Sequence, residues 1–174
     1  MKLRFGLLAT VFALAGTWRY GECHRTSTRG IRYLDVPGNR PVNLVYDTSS
    51  TRYQLNTTVG AEEWAGLLPS GGHLVRMKEG DETQLWTVAM LHQLRCLNIL
   101  REDYVMRKVS PLQSHCLNYI RQSVLCLADT HLEYSKNGLA VTHYIESVCN
   151  DWTAVYSATE RNAAGWKELH ETTP

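Results

Sequence analysis

Two histidines stand beside two cysteines in the middle of the chain, and that pairing sets the chemistry open to it. His92 and Cys96 are four residues apart, and His115 and Cys116 are neighbours. On a helix, positions four apart share a face, so His92 and Cys96 can reach a common point. Imidazole and thiolate at such a point can ligate a metal, and a neutral imidazole can carry a proton. The cysteines can equally be disulfide partners as nucleophiles. The chain has no Gly-x-Ser-x-Gly elbow, and no Cys-x-x-Cys or His-x-x-x-His pairing of a structural zinc site. His115 is the best acid/base candidate, because Asp129, His131 and Glu133 follow it in the same region. A nearby carboxylate fixes an imidazole's tautomer and raises its basicity. Arg95 and Arg121 flank the apolar seam and can stabilise developing negative charge. Tyr119, Trp86, Trp152 and Tyr156 can wall a substrate cavity. Each group also has a plain structural use: aromatics commonly fill cores, Arg121 can pair with Glu133, and Asp129 and Glu133 are natural helix-end carboxylates.

These residues need elements that bring them together. Leu91, Leu94, Cys96, Leu97 and Ile99 recur at helical spacing, as do Leu112, Cys116, Ile120, Val124 and Leu127. Ser110 is placed to cap the second helix, with Pro111 at its first position. So short a link predicts an antiparallel pair with both His/Cys sets on one seam. Ahead of it, IRYLDV (31–36), VNLVYDT (42–48) and TRYQLNTTV (51–59) favour strand, with a turn at Pro37-Gly38-Asn39. A short helix follows around 61–68, then an extended connector at His73 to Lys78. After Glu133 come an extended piece at 139–144 and a last helix from Ala154 to Leu169. The expected class is α+β: a helix-dominated single domain over 31–174, with the antiparallel helix pair and a small N-terminal antiparallel hairpin or sheet.

The strings HQLRCLNILR (92–101) and SHCLNYIRQSVLCLADTHLE (114–133) resemble the UstYa-like family of fungal secondary-metabolite proteins, whose hallmark is two copies of His-x-x-His-Cys. Glu62, Glu63 and Trp64 match an acidic and Trp position ahead of the motifs, and CNDWTAVY (149–156) a closing Cys-x-Asp-aromatic segment. The resemblance covers roughly 60–160. It implies oxidative cyclisation, hydroxylation or halogenation, with copper held by motif histidines. Each motif here keeps one His: the first reads His92-Gln93-Leu94-Arg95-Cys96, the second Leu112-Gln113-Ser114-His115-Cys116. Ser147 stands where a further family His is expected, and His131 where a Thr is. Two imidazoles beside the permanent cation of Arg95 are a poor copper cage.

The expectation is therefore a tailoring enzyme with no metal, a cyclase that closes or rearranges a ring by cavity shape and histidine acid/base help. Its catalytic set is His115, His131, His92, Arg95, Glu133 and Asp129; Tyr119, Arg121, Trp86 and Trp152 bind substrate. Two alternatives stand beside it. One is a copper oxidase with His92 and His115 as ligands, joined by His131 or His143. The other is a non-catalytic subunit of an active relative. The substrate would be a small polyketide, terpenoid or peptide intermediate. The expected protein partner is a second copy or a related family member.

A net charge of +1 gives no electrostatic case for nucleic acid. Lys2 and Arg4 precede an apolar run from Phe5 to Gly16, shorter than the ~20 residues a bilayer requires. This fits a signal peptide or remnant anchor over 1–16, and association with a membrane through that end, ahead of an irregular arm at 17–30. An ordinary N-terminal core helix is the plainer alternative. Five cysteines suit an oxidising compartment, and the odd count leaves at least one without an internal partner. The sequon Asn56-Thr57-Thr58 marks a glycosylated loop. Together these predict the secretory lumen or secretion, with the ER membrane as the surface for any anchor.

Overall fold

Cys96 bonded to Cys116 joins the two helices that carry the motifs. The structure, a computed structural model, describes residues 32–47, 50–133 and 144–171. The leader, the arm, Cys23 and His143 lie outside the described residues. In order come β1 (Pro41–Asp47), α1 (Thr58–Ala65), β2 (Leu74–Glu79), β3 (Glu82–Thr87), α2 (Ala89–Met106), α3 (Gln113–Leu127), β4 (Tyr144–Asn150) and α4 (Trp152–Glu171). Residues from Arg32 onward cluster as one unit. The α+β class is as expected.

The helix pair runs antiparallel: Cys96 meets Cys116, His92 stacks on Tyr119, and Asp103 bonds Ser110, so early positions of α2 meet late ones of α3. Leu91, Cys96 and Cys116 are fully buried there. Burying a leucine contributes about 2 kcal/mol, and a disulfide closing a loop of this length about 3 kcal/mol through the unfolded chain's lost entropy. Ser110 does not cap α3. Its N–H and hydroxyl instead donate to Oδ2 of buried Asp103 at 3.1 and 2.5 Å, and α3 starts at Gln113 with Leu112 as a cap that makes no side-chain bond. A carboxylate removed from water needs donors, and Ser110 supplies them. The apolar stripe expected on α3 is also broken: Cys116 is buried, but Val124 and Leu127 are 62% and 75% exposed.

The strands pair differently from the expected small N-terminal antiparallel hairpin or sheet. β1 lies antiparallel to the distant β4, with Pro41 opposite Asn150 and Asp47 opposite Tyr144. The 32–36 stretch is extended without a partner strand, and 51–59 is mostly turn, its end opening α1. The hairpin is β2–β3, closed by Gly80-Asp81 with Gly80 at φ +62°. A positive φ at the first loop position is the type II′ geometry that suits strand twist. The stretch expected as a connector is therefore a strand. Asn162 of α4 pairs with the β2 backbone, accepting from Arg76 N–H at 2.8 Å and donating to its carbonyl at 2.7 Å. That satisfies the free side of β2, which pairs with no third strand among the described residues. α4 itself is capped by Asp151, which accepts from Thr153 N–H at 2.9 Å and from its hydroxyl at 2.6 Å.

Glu63 and Trp64 hold a loop. Glu63 accepts from Tyr53 N–H at 2.6 Å and Arg52 Nε at 2.7 Å, while Trp64 Nε1 donates to the Tyr53 carbonyl at 2.9 Å. Tyr53 is thereby kept at φ +56°, a conformation a side chain resists. Thr57 caps α1 by accepting from Gly60 N–H, which places exposed Asn56 just outside the helix. No helix among the described residues is long and apolar enough to cross a membrane.

Candidate functional site

His92 leaves the opening of α2 and His115 the first turn of α3, and the disulfide between the following cysteines holds their backbones together. Their Nε2 atoms are 3.4 Å apart and the rings are stacked at 5.6 Å between centroids. Tyr119, one turn further along α3, stacks on His92 at 4.0 Å. His92 is half-buried and His115 exposed, so the pair opens to solvent from one side. Burial holds His92 below the usual histidine range, helped by the neighbouring His115 and His73. At neutral pH it therefore offers a lone pair rather than a charge.

Two nitrogens bound to one tetrahedral ion at ~2.0 Å lie about 3.3 Å apart, so the observed spacing suits a single ion. Among the described residues, ligand atoms of His92, Cys96 and His115 lie within 4.8 Å of one another. Cys96, however, spends its sulfur on Cys116, leaving the imidazoles as donors. Arg95 does not intrude between them. It is exposed, and its charge is felt at His73, which burial and Arg95 together hold below the usual histidine range.

His73 was not singled out from the sequence. Its ring lies 6.4 Å from that of His92 with a 31° tilt, making a row of His73, His92 and His115 from three separate elements. Periodicity could not have found it, because it precedes a strand that itself went unrecognised.

The remaining candidates lie apart from this row or have ordinary partners. Asp129 and His131 line a cavity of about 890 Å³ with Asn43, Val45, Glu146 and Ser147 of β1 and β4. There Asp129 Oδ1 accepts from His131 N–H at 2.9 Å. Arg121 pairs within its own helix, donating to Asn118 Oδ1 at 2.8 Å, and not with Glu133, which is exposed. Trp86 lies under the Arg32 guanidinium at 5.7 Å, and Trp152 packs edge-on against Tyr156. Of the expected substrate-binding residues, Tyr119 is the one in contact with the histidines.

The family described as mycotoxin biosynthesis protein UstYa matches residues 68–160. The chain belongs to the UstYa family. The match takes in the hairpin, both motif helices and the first half of α4. A relative called "UstYa family oxidase phomYb", from Diaporthe leptostromiformis, is 25% identical over 170 residues, which cover 84% of this chain and 62% of the relative. "Oxidase ustYa" of Aspergillus flavus is 31% identical over 86 residues, covering 43% of this chain and 40% of that protein. The chain thus spans less than two thirds of the length of these two UstYa proteins. No solved structure matches.

Proposed function

We propose that this protein is a tailoring oxidase of fungal secondary metabolism whose His92 and His115 hold a copper ion beside a small-molecule substrate. The observation that carries this is the 3.4 Å separation of the two Nε2 atoms, which fits two ligands of one ion. Imidazole donors suit copper well, and both UstYa relatives carry the word oxidase in their names. Copper, when bound, supplies one-electron redox and dioxygen chemistry that no side chain provides alone.

The chain's own residues do the rest. The Cys96–Cys116 link sets the distance between the two helix faces, so the imidazoles need little ordering on binding. Tyr119 covers one face of His92 and fixes its ring plane. The open side at His115 is where a substrate would approach, and Arg95, exposed on α2 near His73, would meet a carboxylate or enolate oxygen from solvent. The substrate class is a polyketide, terpenoid or peptide intermediate, handled in the secretory lumen.

The same contact supports a second reading, a metal-independent cyclase. At 3.4 Å one imidazole N–H can donate weakly to the other's lone pair, so the pair could pass a proton to a bound intermediate. Turnover under strict anaerobiosis with chelator decides between them. Loss of activity there, restored by copper and air, supports the oxidase; undiminished activity overturns it in favour of the cyclase.

A further inference from the structure

Independently of the oxidase reading, we infer that Asn56 carries an N-linked glycan whose first sugar seats in the cleft between the loop before α1 and the end of α2. Asn56, Thr57 and Thr58 form the acceptor sequence for such a sugar, and Asn56 is exposed. The Cys96–Cys116 bond is of the kind formed in the oxidising lumen, where these glycans are attached. In that step the Asn56 amide nitrogen bonds to C1 of an N-acetylglucosamine. The bond from C1 to the oxygen of the sugar's lipid diphosphate carrier breaks, and the amide proton leaves with the diphosphate.

The loop presents this side chain in one place. Arg101 of α2, whose side chain is 9% exposed, donates from Nη1 to the Leu55 carbonyl at 2.9 Å. Its Nε is held in turn by Asn98 Oδ1 at 2.9 Å. On the other side Thr57 accepts from Gly60 N–H at 3.0 Å as the cap of α1. Gly60 lies so close to Gln54 that an added Cβ would come within 2.1 Å of its carbonyl oxygen. Asn56 thus stands between two anchored neighbours, and a sugar attached there has a fixed relation to the protein.

Asn56 lines a cavity of about 200 Å³ with Ala61, Arg101, Glu102, Val105 and Met106. That is below the ~300 Å³ at which pockets begin to take drug-sized ligands, and it leaves room on the scale of one sugar ring. The lining suits a pyranose. Ala61, Val105 and Met106 offer an apolar surface to its C–H face, while the Glu102 carboxylate, half in solvent, offers an acceptor to its hydroxyls. Met106 is 67% exposed, and Val59 on the first turn of α1 is 66% exposed. A sugar seated beside them removes apolar surface from water, which stabilises the folded chain.

The test uses the full-length chain secreted from a yeast, and the same chain exported to a bacterial periplasm, where no such sugar is added. Intact mass and peptide mapping read occupancy, and thermal unfolding reads the seat. The expected result is a glycan on Asn56 in the yeast protein that Asn56→Gln loses. Trimming with endoglycosidase H to a single N-acetylglucosamine should leave the melting temperature within about 1 °C, whereas the bare bacterial protein should melt about 3 °C lower or more. Bacterial Asn56→Gln should melt with bacterial wild type, which separates the sugar from the side chain. Met106→Ser keeps the acceptor but thins the seat, and should shrink the gap between glycosylated and bare protein by about half. A bare Asn56 in the secreted protein overturns the glycan and its seat together. An occupied Asn56 with equal melting of glycosylated and bare protein, or a gap that Met106→Ser leaves intact, overturns the seat.

Discussion

The seam between α2 and α3 and the cavity beside β1 and β4 both hold a histidine near polar groups, yet they are built to different standards. At the seam, His92 and His115 project from helices joined by a buried disulfide, and an aromatic ring lies on one of them. At the cavity, His131 follows α3 on irregular chain, exposed, with its backbone tied to Asp129 by one hydrogen bond. Side chains on rigid elements with locked neighbours can be held to the tolerance that metal ligation or proton transfer requires, and those on loops seldom are. On the proposed function, the difference favours the seam for reaction and leaves the cavity, at most, to accommodate substrate bulk.

Four experiments would break or sharpen that contrast, from the largest expected effect to the smallest. Replacing His115 or His92 by alanine should lower turnover more than about a hundredfold, the scale for a lost acid/base or ligand group, while His131→Ala stays within about threefold. A profile in which His131→Ala is the more damaging change would move the chemistry to the cavity. Next, the Cys96→Ser/Cys116→Ser double variant should lose about 3 kcal/mol in urea unfolding. Copper affinity should fall with it, and full affinity in the folded variant would mean the imidazoles are positioned without the link.

A smaller effect is expected near the cavity. Asp151→Ala removes the α4 cap and should cost about 1 kcal/mol in thermal unfolding, with copper affinity unchanged because the Asp151 carboxylate bonds Thr153 of its own helix. A matching loss of affinity would show that the two regions are coupled. The smallest belongs to the loop before α1. The Tyr53 backbone N–H first, and Arg52 second, hold the Glu63 carboxyl below its ordinary value of 4.5. A depressed carboxylate stabilises the fold above that value and loses its contribution as pH falls through the folded pKa. Wild type should therefore lose its melting-temperature advantage over Glu63→Gln on acidification below about pH 4.5, and a difference that is constant with pH would sink the assignment.

Much of the seam was legible in the residues. Helical spacing of His92 and Cys96, and the short link at Ser110-Pro111, contain the antiparallel pairing, because two apolar faces so joined have few other ways to meet. Long-range pairing was not legible. β1 and β4 are separated by most of the chain, and nothing local in VNLVYDT says that its partner is YIESVCN rather than IRYLDV. The β2–β3 hairpin did carry a signal in Glu79-Gly80-Asp81-Glu82, a two-residue Gly-first loop, but the flanking HLVRMK and ETQLWT are mixed enough in polarity to hide it. His73 was lost with that hairpin. Arg95 misled for a related reason: its place in the motif suggested a cation among the ligands, whereas the helix turns it outward.

The bond between Cys96 and Cys116 also bears on how the protein must be made. Before oxidation the seam would present sulfur as well as nitrogen, since the Cys96 atom lies within 4.8 Å of both imidazole donors. Thiolates outcompete imidazole for zinc and cuprous copper, so a nascent chain in a reducing cytosol would be captured by whatever soft metal it met first. Oxidative folding removes those competitors, and recombinant material is best prepared by export to an oxidising compartment before any metal is supplied.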